Sequence, residues 1–113
     1  DAILEMQART QHVFVKEELY QYIIDLSEAS RRHPDVALGA SPRASLCLLR
    51  CARARALLEG RTYITHEDIQ AMALGVLGHR LIIRPEAEVE GKSVKEIVLE
   101  IVGKVKVLDA KPG

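Results

Sequence analysis

Leu38-Gly39-Ala40-Ser41-Pro42-Arg43-Ala44 marks the start of a helix. Ser41 is an N-cap residue type, whose hydroxyl accepts a bond from an orphan amide two or three residues on. Pro42 suits the first helical position, where a missing N–H costs nothing. Arg43 then stands in the first turn, where the partial positive charge of the helix end disfavours a cation. The combination makes sense if an anion comes to both the helix end and the arginine. Phosphate is the usual anion at such a place.

Outward from this point the pattern is helical. Lys16 to about Arg32 reads as a helix, with Leu19, Tyr22, Ile23, Leu26 and Ala29 at i, i+3, i+4 spacing. Glu17 and Glu18 open it and Arg31 and Arg32 close it, as the macrodipole prefers. Pro34 ends it, because the residue before proline avoids the α region. Residues 33–40 read as a loop. The second helix runs from Pro42 to about Glu59, with Gly60 as its C-terminal stop. Its Leu46, Leu48, Leu49, Ala52, Ala56, Leu57 and Leu58 make it apolar on most sides, which predicts a mostly buried, central helix. Arg43, Arg50 and Arg53 break that pattern. Arg43 and Arg50 are a heptad apart and drift by only about 20° around the axis, so they share a stripe that the fold must leave open.

Thr65-His66-Glu67-Asp68 reads as a cap with an acid three residues on, followed by a helix facing inward with Ile69, Met72, Ala73, Val76 and Leu77. Ser93-Val94-Lys95-Glu96 reads as a full capping box and opens a last helix with Val94, Ile97, Val98, Ile101 and Val102 inward. Residues 1–12 form a weak helical or irregular lead-in, and 84–92 a polar loop. Two β-prone pieces, at 13–15 and 81–83, are expected to pair. The expected fold class is therefore mainly α: one domain over residues 1–113, with four helices and a short two-stranded ribbon.

Composition narrows the function. Sixteen basic residues balance sixteen acidic ones, whereas a nucleic-acid module is usually clearly basic. No run of about 18 apolar residues could span a membrane, and no signal peptide is visible. Cys47 and Cys51 are the only cysteines. A C-x-x-x-C pair without further cysteine or nearby histidine is a poor metal site, and the two read as small, reduced, buried or half-buried thiols of a cytoplasmic protein. Nothing completes a metal site or a nucleophile–base pair around His33, His79 or Arg80. His33 reads as capping helix carbonyls, and His79 and Arg80 as a structural link after the third helix. Tyr63 and Ile64 read as core and staple beside the Thr65 cap, and Glu67 and Asp68 as capping acids. Arg50 and Arg53 read either as an extension of the basic face or, preferably, as partners of a carboxylate on another helix.

The blocks Ala29-Ser30-Arg31-Arg32-His33-Pro34-Asp35 through Arg43-Ala44, then Gly60-Arg61-Thr62-Tyr63-Ile64-Thr65-His66-Glu67-Asp68-Ile69, then Val76-Leu77-Gly78-His79-Arg80-Leu81, fall in a recognisable order. From about Val13 to Val105 the chain closely resembles the C-terminal lid of the MoxR-like ATPases, a branch of the AAA+ superfamily. The resemblance implies that Arg43 is the second sensor arginine, reaching the terminal phosphate of a nucleotide. Ser41 and Pro42 would form the helix start beside it, and Arg50 an outlying member of the site. The chain carries no G-x-x-x-x-G-K-[ST] phosphate loop and no strand ending in paired acids for Mg²⁺. The resemblance therefore implies a fragment, whose ATP and Mg²⁺ are held by a core domain elsewhere in a longer ATPase. It further implies a chaperone-like, protein-remodelling parent, a hexameric ring with neighbouring subunits completing the site, and a partner with a von Willebrand A-like domain. A reading of a different class is a stand-alone helical module that binds protein or nucleic acid through the Arg43/Arg50/Arg53 stripe.

Overall fold

The computed structural model describes residues 12–106. Along them run α1 (Glu17–Arg32), β1 (Val36–Leu38), α2 (Pro42–Leu58), α3 (His66–Leu77), β2 (Ile82–Ile83), α4 (Pro85–Val89) and α5 (Val94–Lys104). The mainly helical class with a two-stranded ribbon is as expected; three details differ. The ribbon pairs β1 with β2, antiparallel, with Val36 opposite Ile83 and Leu38 opposite Ile82. The segment at 13–15 instead meets the Thr65 cap in a parallel bridge, where the Phe14 amide donates to the Thr62 carbonyl and the Ile64 amide donates back to the Phe14 carbonyl. Residues 33–40 thus contain a strand, because Val36 is apolar and buried while its neighbours face water. The polar loop at 84–92 holds an additional helix, α4, in which Pro85 presets the first turn and Ala87 is the one buried residue. The expected lead-in falls almost wholly outside the described residues.

The caps explain the helix starts. Thr65 and Asp68 form the reciprocal capping box: Thr65 Oγ1 accepts from the Asp68 amide and Asp68 Oδ2 accepts from the Thr65 amide at 2.8 Å. The box at Ser93 is only half made. Ser93 Oγ accepts from the Glu96 amide at 3.2 Å, but the Glu96 carboxylate takes the Ser93 hydroxyl rather than its amide. Gly60, at φ +78°, ends α2 in the left-handed conformation that favours glycine.

The core lies between α1, α2, α3 and α5. Leu19, Tyr22, Ile23 and Leu26 of α1 meet Leu48 of α2, Ile69, Ala73 and Leu77 of α3, and Ile97, Val98 and Ile101 of α5. The expectation that α2 is buried on most sides does not hold. Its buried line is Ala44, Leu48, Ala52 and Ala56 alone, while Leu46 and Leu58 are exposed. Three of those four residues are alanines, so its neighbours can pack close on one side while the other stays wet. Tyr63, expected in the core, is half-exposed and lies beneath the Arg61 guanidinium at 5.9 Å; Ile64 is buried.

One charged group sits at full depth. Asp68 has no exposed surface and accepts from Arg55 Nη1 at 2.5 Å and from Arg61 Nη1 and Nη2 at 2.6 and 2.7 Å. Burial pushes its carboxyl up, but Arg61, the Thr65 amide and Arg55 outweigh that and hold it well below the ordinary carboxylate range. The carboxylate therefore stabilises the fold above the unfolded carboxyl's value of about 3.9, and this is lost as pH falls toward the depressed folded value. Asp68→Asn should destabilise the chain by about 2–3 kcal/mol at pH 7. That is less than the ~3–5 kcal/mol of a wholly buried pair, because Arg55 and Arg61 keep 32% and 24% of their side chains in water. Urea denaturation across pH checks this: the gap between the two proteins should be full at pH 7 and narrow below pH 4.

Candidate functional site

The start of α2 is built by α1. The backbone enters at Ala40, which is buried. Its amide donates to Ser30 Oγ at 2.9 Å and its carbonyl accepts from Arg31 Nε at 2.9 Å. Both backbone polar groups of Ala40 are thus taken by the last turn of α1. Gly39 lies against the same turn so closely that a Cβ there would stand 2.6 Å from Arg31 Cα and 2.7 Å from its backbone nitrogen. No side chain fits without moving backbone. Further along, Ser27 Oγ meets Ser45 Oγ at 2.5 Å, tying the middle of α1 to the first turns of α2.

From this clamped entry Ser41 takes an extended conformation, and its Oγ accepts from the Ala44 amide at 3.3 Å. Pro42 follows at the first helical position, and no acid stands in the first turn. Ser41, Pro42 and Arg43 are all exposed. Among the described residues, Arg43 makes no ion pair and its side chain no hydrogen bond. The geometry is therefore a fixed helix end with a free guanidinium beside it, open to solvent.

The rest of the stripe behaves differently from expectation. Neither Arg50 nor Arg53 pairs with a carboxylate among the described residues. Arg50 stands in water, one turn before Arg53. Arg53 Nη2 reaches the Tyr20 hydroxyl at 3.1 Å across the α1–α2 contact, and its Nε is buried with no partner. The α1 surface it meets offers a phenol rather than an acid. Ser27, Ser30 and Arg31 do not stand out as site residues in the sequence. A signal is there nonetheless: Ser27 and Ser30 fall on the apolar face of α1, at the spacing of Ile23 and Leu26, and a serine in such a place needs a partner.

His33 does not cap helix carbonyls. Its Nδ1 accepts from the Asp35 amide at 3.1 Å. A backbone N–H only donates, so the ring hydrogen lies on Nε2, which donates to Glu100 Oε1 at 2.8 Å. Lys92 Nζ closes the cluster on Asp35 Oδ2 at 2.6 Å. Lys92 holds the Asp35 carboxyl below its usual value, and the His33 hydrogen bond does the same for Glu100. This cluster fastens β1 and the loop before α5 to the end of α1. Arg80 Nη1 donates to the Val76 carbonyl at 3.4 Å, while His79 is exposed. A groove of about 410 Å³ opens nearby, lined by Asp25, Glu28, Arg32 and Lys104 around Ala29 and Ile101. Its charges are mixed, and none of Ser41, Arg43 or Arg50 lines it. Among the described residues no group of three or more His, Cys, Asp or Glu side chains could hold a metal ion.

The family model for the AAA lid domain matches residues 28–101, which includes most of the clamp and the start of α2. The chain belongs to the AAA lid domain family. Among curated proteins it is 41% identical over 102 residues to the uncharacterized protein YeaC of Bacillus subtilis, covering 90% of the chain and 32% of that protein. It is 34% identical over 94 residues to the chaperone MoxR1 of Mycobacterium tuberculosis, covering 75% and 25%. A crystal structure of an inferred ATPase from Cytophaga hutchinsonii superposes with a TM-score of 0.89 at 36% identity, over 95% of the chain and 35% of that molecule. These similarities make the chain a MoxR-like AAA+ lid, and it spans between a quarter and about a third of these relatives' length.

Cys47 and Cys51 sit half-buried on the same helix. Burial pushes the Cys51 thiol up, the neighbouring Cys47 adds to this, and Arg80 opposes it without prevailing. Residues four apart on a helix hold their Cβ atoms about 5–6 Å apart, beyond the roughly 3.5–4.5 Å of a disulfide. The native chain should therefore bind no stoichiometric zinc, form no Cys47–Cys51 bridge under mild oxidation, and react with a thiol reagent at pH 7.5 more slowly than the unfolded chain. Metal analysis, intact mass and the two reaction rates check this.

Proposed function

We propose that this lid closes over ATP and Mg²⁺ bound to a separate core domain, and that Arg43 senses the terminal phosphate. One observation carries the reading: Arg43 is exposed, and without a partner among the described residues, at a helix start whose backbone α1 holds fixed. A guanidinium is always charged and offers a planar fork of donors to phosphate oxygens. The surrounding helix end favours the same anion. Ser41 and Pro42 shape that end, and Arg50, a heptad further on and also in water, extends the positive stripe.

In phosphoryl transfer the protein mainly positions groups and offsets charge, so a fixed cation beside the redistributing charge lowers the barrier. On a mobile lid the same arginine links lid position to the presence of the terminal phosphate. On this reading the core domain, rather than the lid, holds the metal. By the same reading the parent is a cytoplasmic, chaperone-like remodelling ATPase that works as a hexameric ring, with neighbouring subunits completing the site and a von Willebrand A-domain protein as partner. Residues 1–113 alone, lacking a phosphate loop, should not hydrolyse ATP.

Arg43→Ala in the intact protein that carries this lid should slow ATP turnover by on the order of 10²–10³. ATP affinity should change much less. The melting temperature should stay nearly constant, since exposed substitutions usually lie within about 0.5 kcal/mol. Arg43→Lys should restore only part of the rate, because an ammonium lacks the fork. Turnover, ATP binding and melting of the three versions decide the matter. Normal turnover in Arg43→Ala would sink the sensor reading, and its unfolding would make Arg43 structural.

A further inference from the structure

We propose that Arg31 is a positioning residue for Arg43, acting through the Ala40 carbonyl. The proposal rests on the sensor reading of Arg43. From the sequence, Arg31 and Arg32 look alike, two cations in the last turn of α1. In the structure they differ. Arg32 is a solvated partner of Glu28 at 3.7 Å, one turn back on the same helix. Arg31 leaves its own helix and donates from Nε to Ala40, nine residues on.

The target of that bond is the point where the chain turns into α2. Ser30 holds the Ala40 amide, Arg31 holds its carbonyl, and Gly39 is pressed onto the Arg31 backbone. Three contacts from two adjacent residues fix the backbone on both sides of Ala40. Ser41 caps the helix directly after it, so the direction of the first turn, and of Arg43 with it, follows from that fixed point. Without the Nε bond the carbonyl would seek water, and the turn would be free to rotate about Ser30. Displacements of about 1 Å at a reacting centre can lower rates about 10²-fold, so a small rotation suffices to matter.

The rival role for Arg31 is direct contact of its terminal nitrogens with phosphate. Chain length separates the two. A glutamine in its place would carry a neutral donor at the depth of Nε, whereas a lysine would carry the charge one bond further out. Three variants of the intact protein are therefore compared: Arg31→Ala, Arg31→Gln and Arg31→Lys. Arg31→Ala should lower kcat for ATP about tenfold with KM nearly unchanged, Arg31→Gln should recover most of the loss, and Arg31→Lys little. In an Arg43→Ala background, Arg31→Ala should cause no further fall. Backbone amide NMR of residues 1–113 gives a readout free of ATP: signals of Ala40, Ser41 and Arg43 should shift in the alanine and lysine variants and stay in place in the glutamine one.

Better rescue by lysine than by glutamine would overturn the proposal in favour of direct anion contact. Multiplicative losses in the double variant would overturn it as well, as would unmoved amides in Arg31→Ala. Normal turnover in Arg43→Ala would instead remove the sensor reading beneath it, while the amide shifts would still report whether Arg31 sets the turn.

Discussion

The alanine face of α2 is the constraint on which the other helices depend. Ala44, Leu48, Ala52 and Ala56 have no exposed surface and lie at i, i+4 spacing. The side chains at a contact set how near two helix axes come, so alanines bring α3 close. They also leave α2 with little side chain to bury. The helix can then present its other faces, with Arg43, Leu46 and Arg50, to water. A bulkier inner face would have pushed α3 and its Thr65–Asp68 cap outward, away from Arg55 on α2.

Two polar clusters secure the ends of this packing. Asp68 joins the α3 start to α2 through Arg55 and to the preceding turn through Arg61. His33 joins the end of α1 to α5 through Glu100, and its other nitrogen fixes the Asp35 amide at the start of β1. Each has a donor for every strong acceptor it buries. That satisfaction is what lets charged groups sit so near an apolar core. Outside these clusters, Arg53 Nε is buried with no partner among the described residues.

Helix periodicity and caps are legible in the sequence because they are local. The i, i+3, i+4 pattern in α1 and the serine and threonine caps involve residues within one or two turns of each other. What escapes needs long-range knowledge. Strand pairing does, because Val36–Leu38 and 13–15 are equally short and apolar, and only the tertiary path of the chain decides which meets Ile82–Ile83. The exposure of Leu46 and Leu58 escapes because a leucine-rich helix reads as buried whichever side its neighbours take. Of the candidate site, Ser41, Pro42 and Arg43 stand out by residue type and spacing. The clamp behind them does not, since Arg31 resembles any last-turn cation and its partner is a backbone carbonyl, which every residue possesses.

That difference carries a consequence for how this lid can move. Arg43 gains nothing from its own helix for staying in place, since none of the described residues there partners it. Its bearing comes from α1, through Ala40, and α1 is in turn fixed to α5 by His33 and Glu100 and to α3 by the Tyr22 hydroxyl and Gln70 at 3.0 Å. Bending at the start of α2 would cost the Ala40 bonds, the Gly39 contact and the Ser27–Ser45 tie together, because α1 meets the start of α2 at all three. Movement of the lid as one piece costs none of them. On the sensor reading proposed above, a guanidinium on such a body would reach or leave an anion according to where the whole body sits, which is the mechanical condition for an arginine that reports closure rather than merely adding charge.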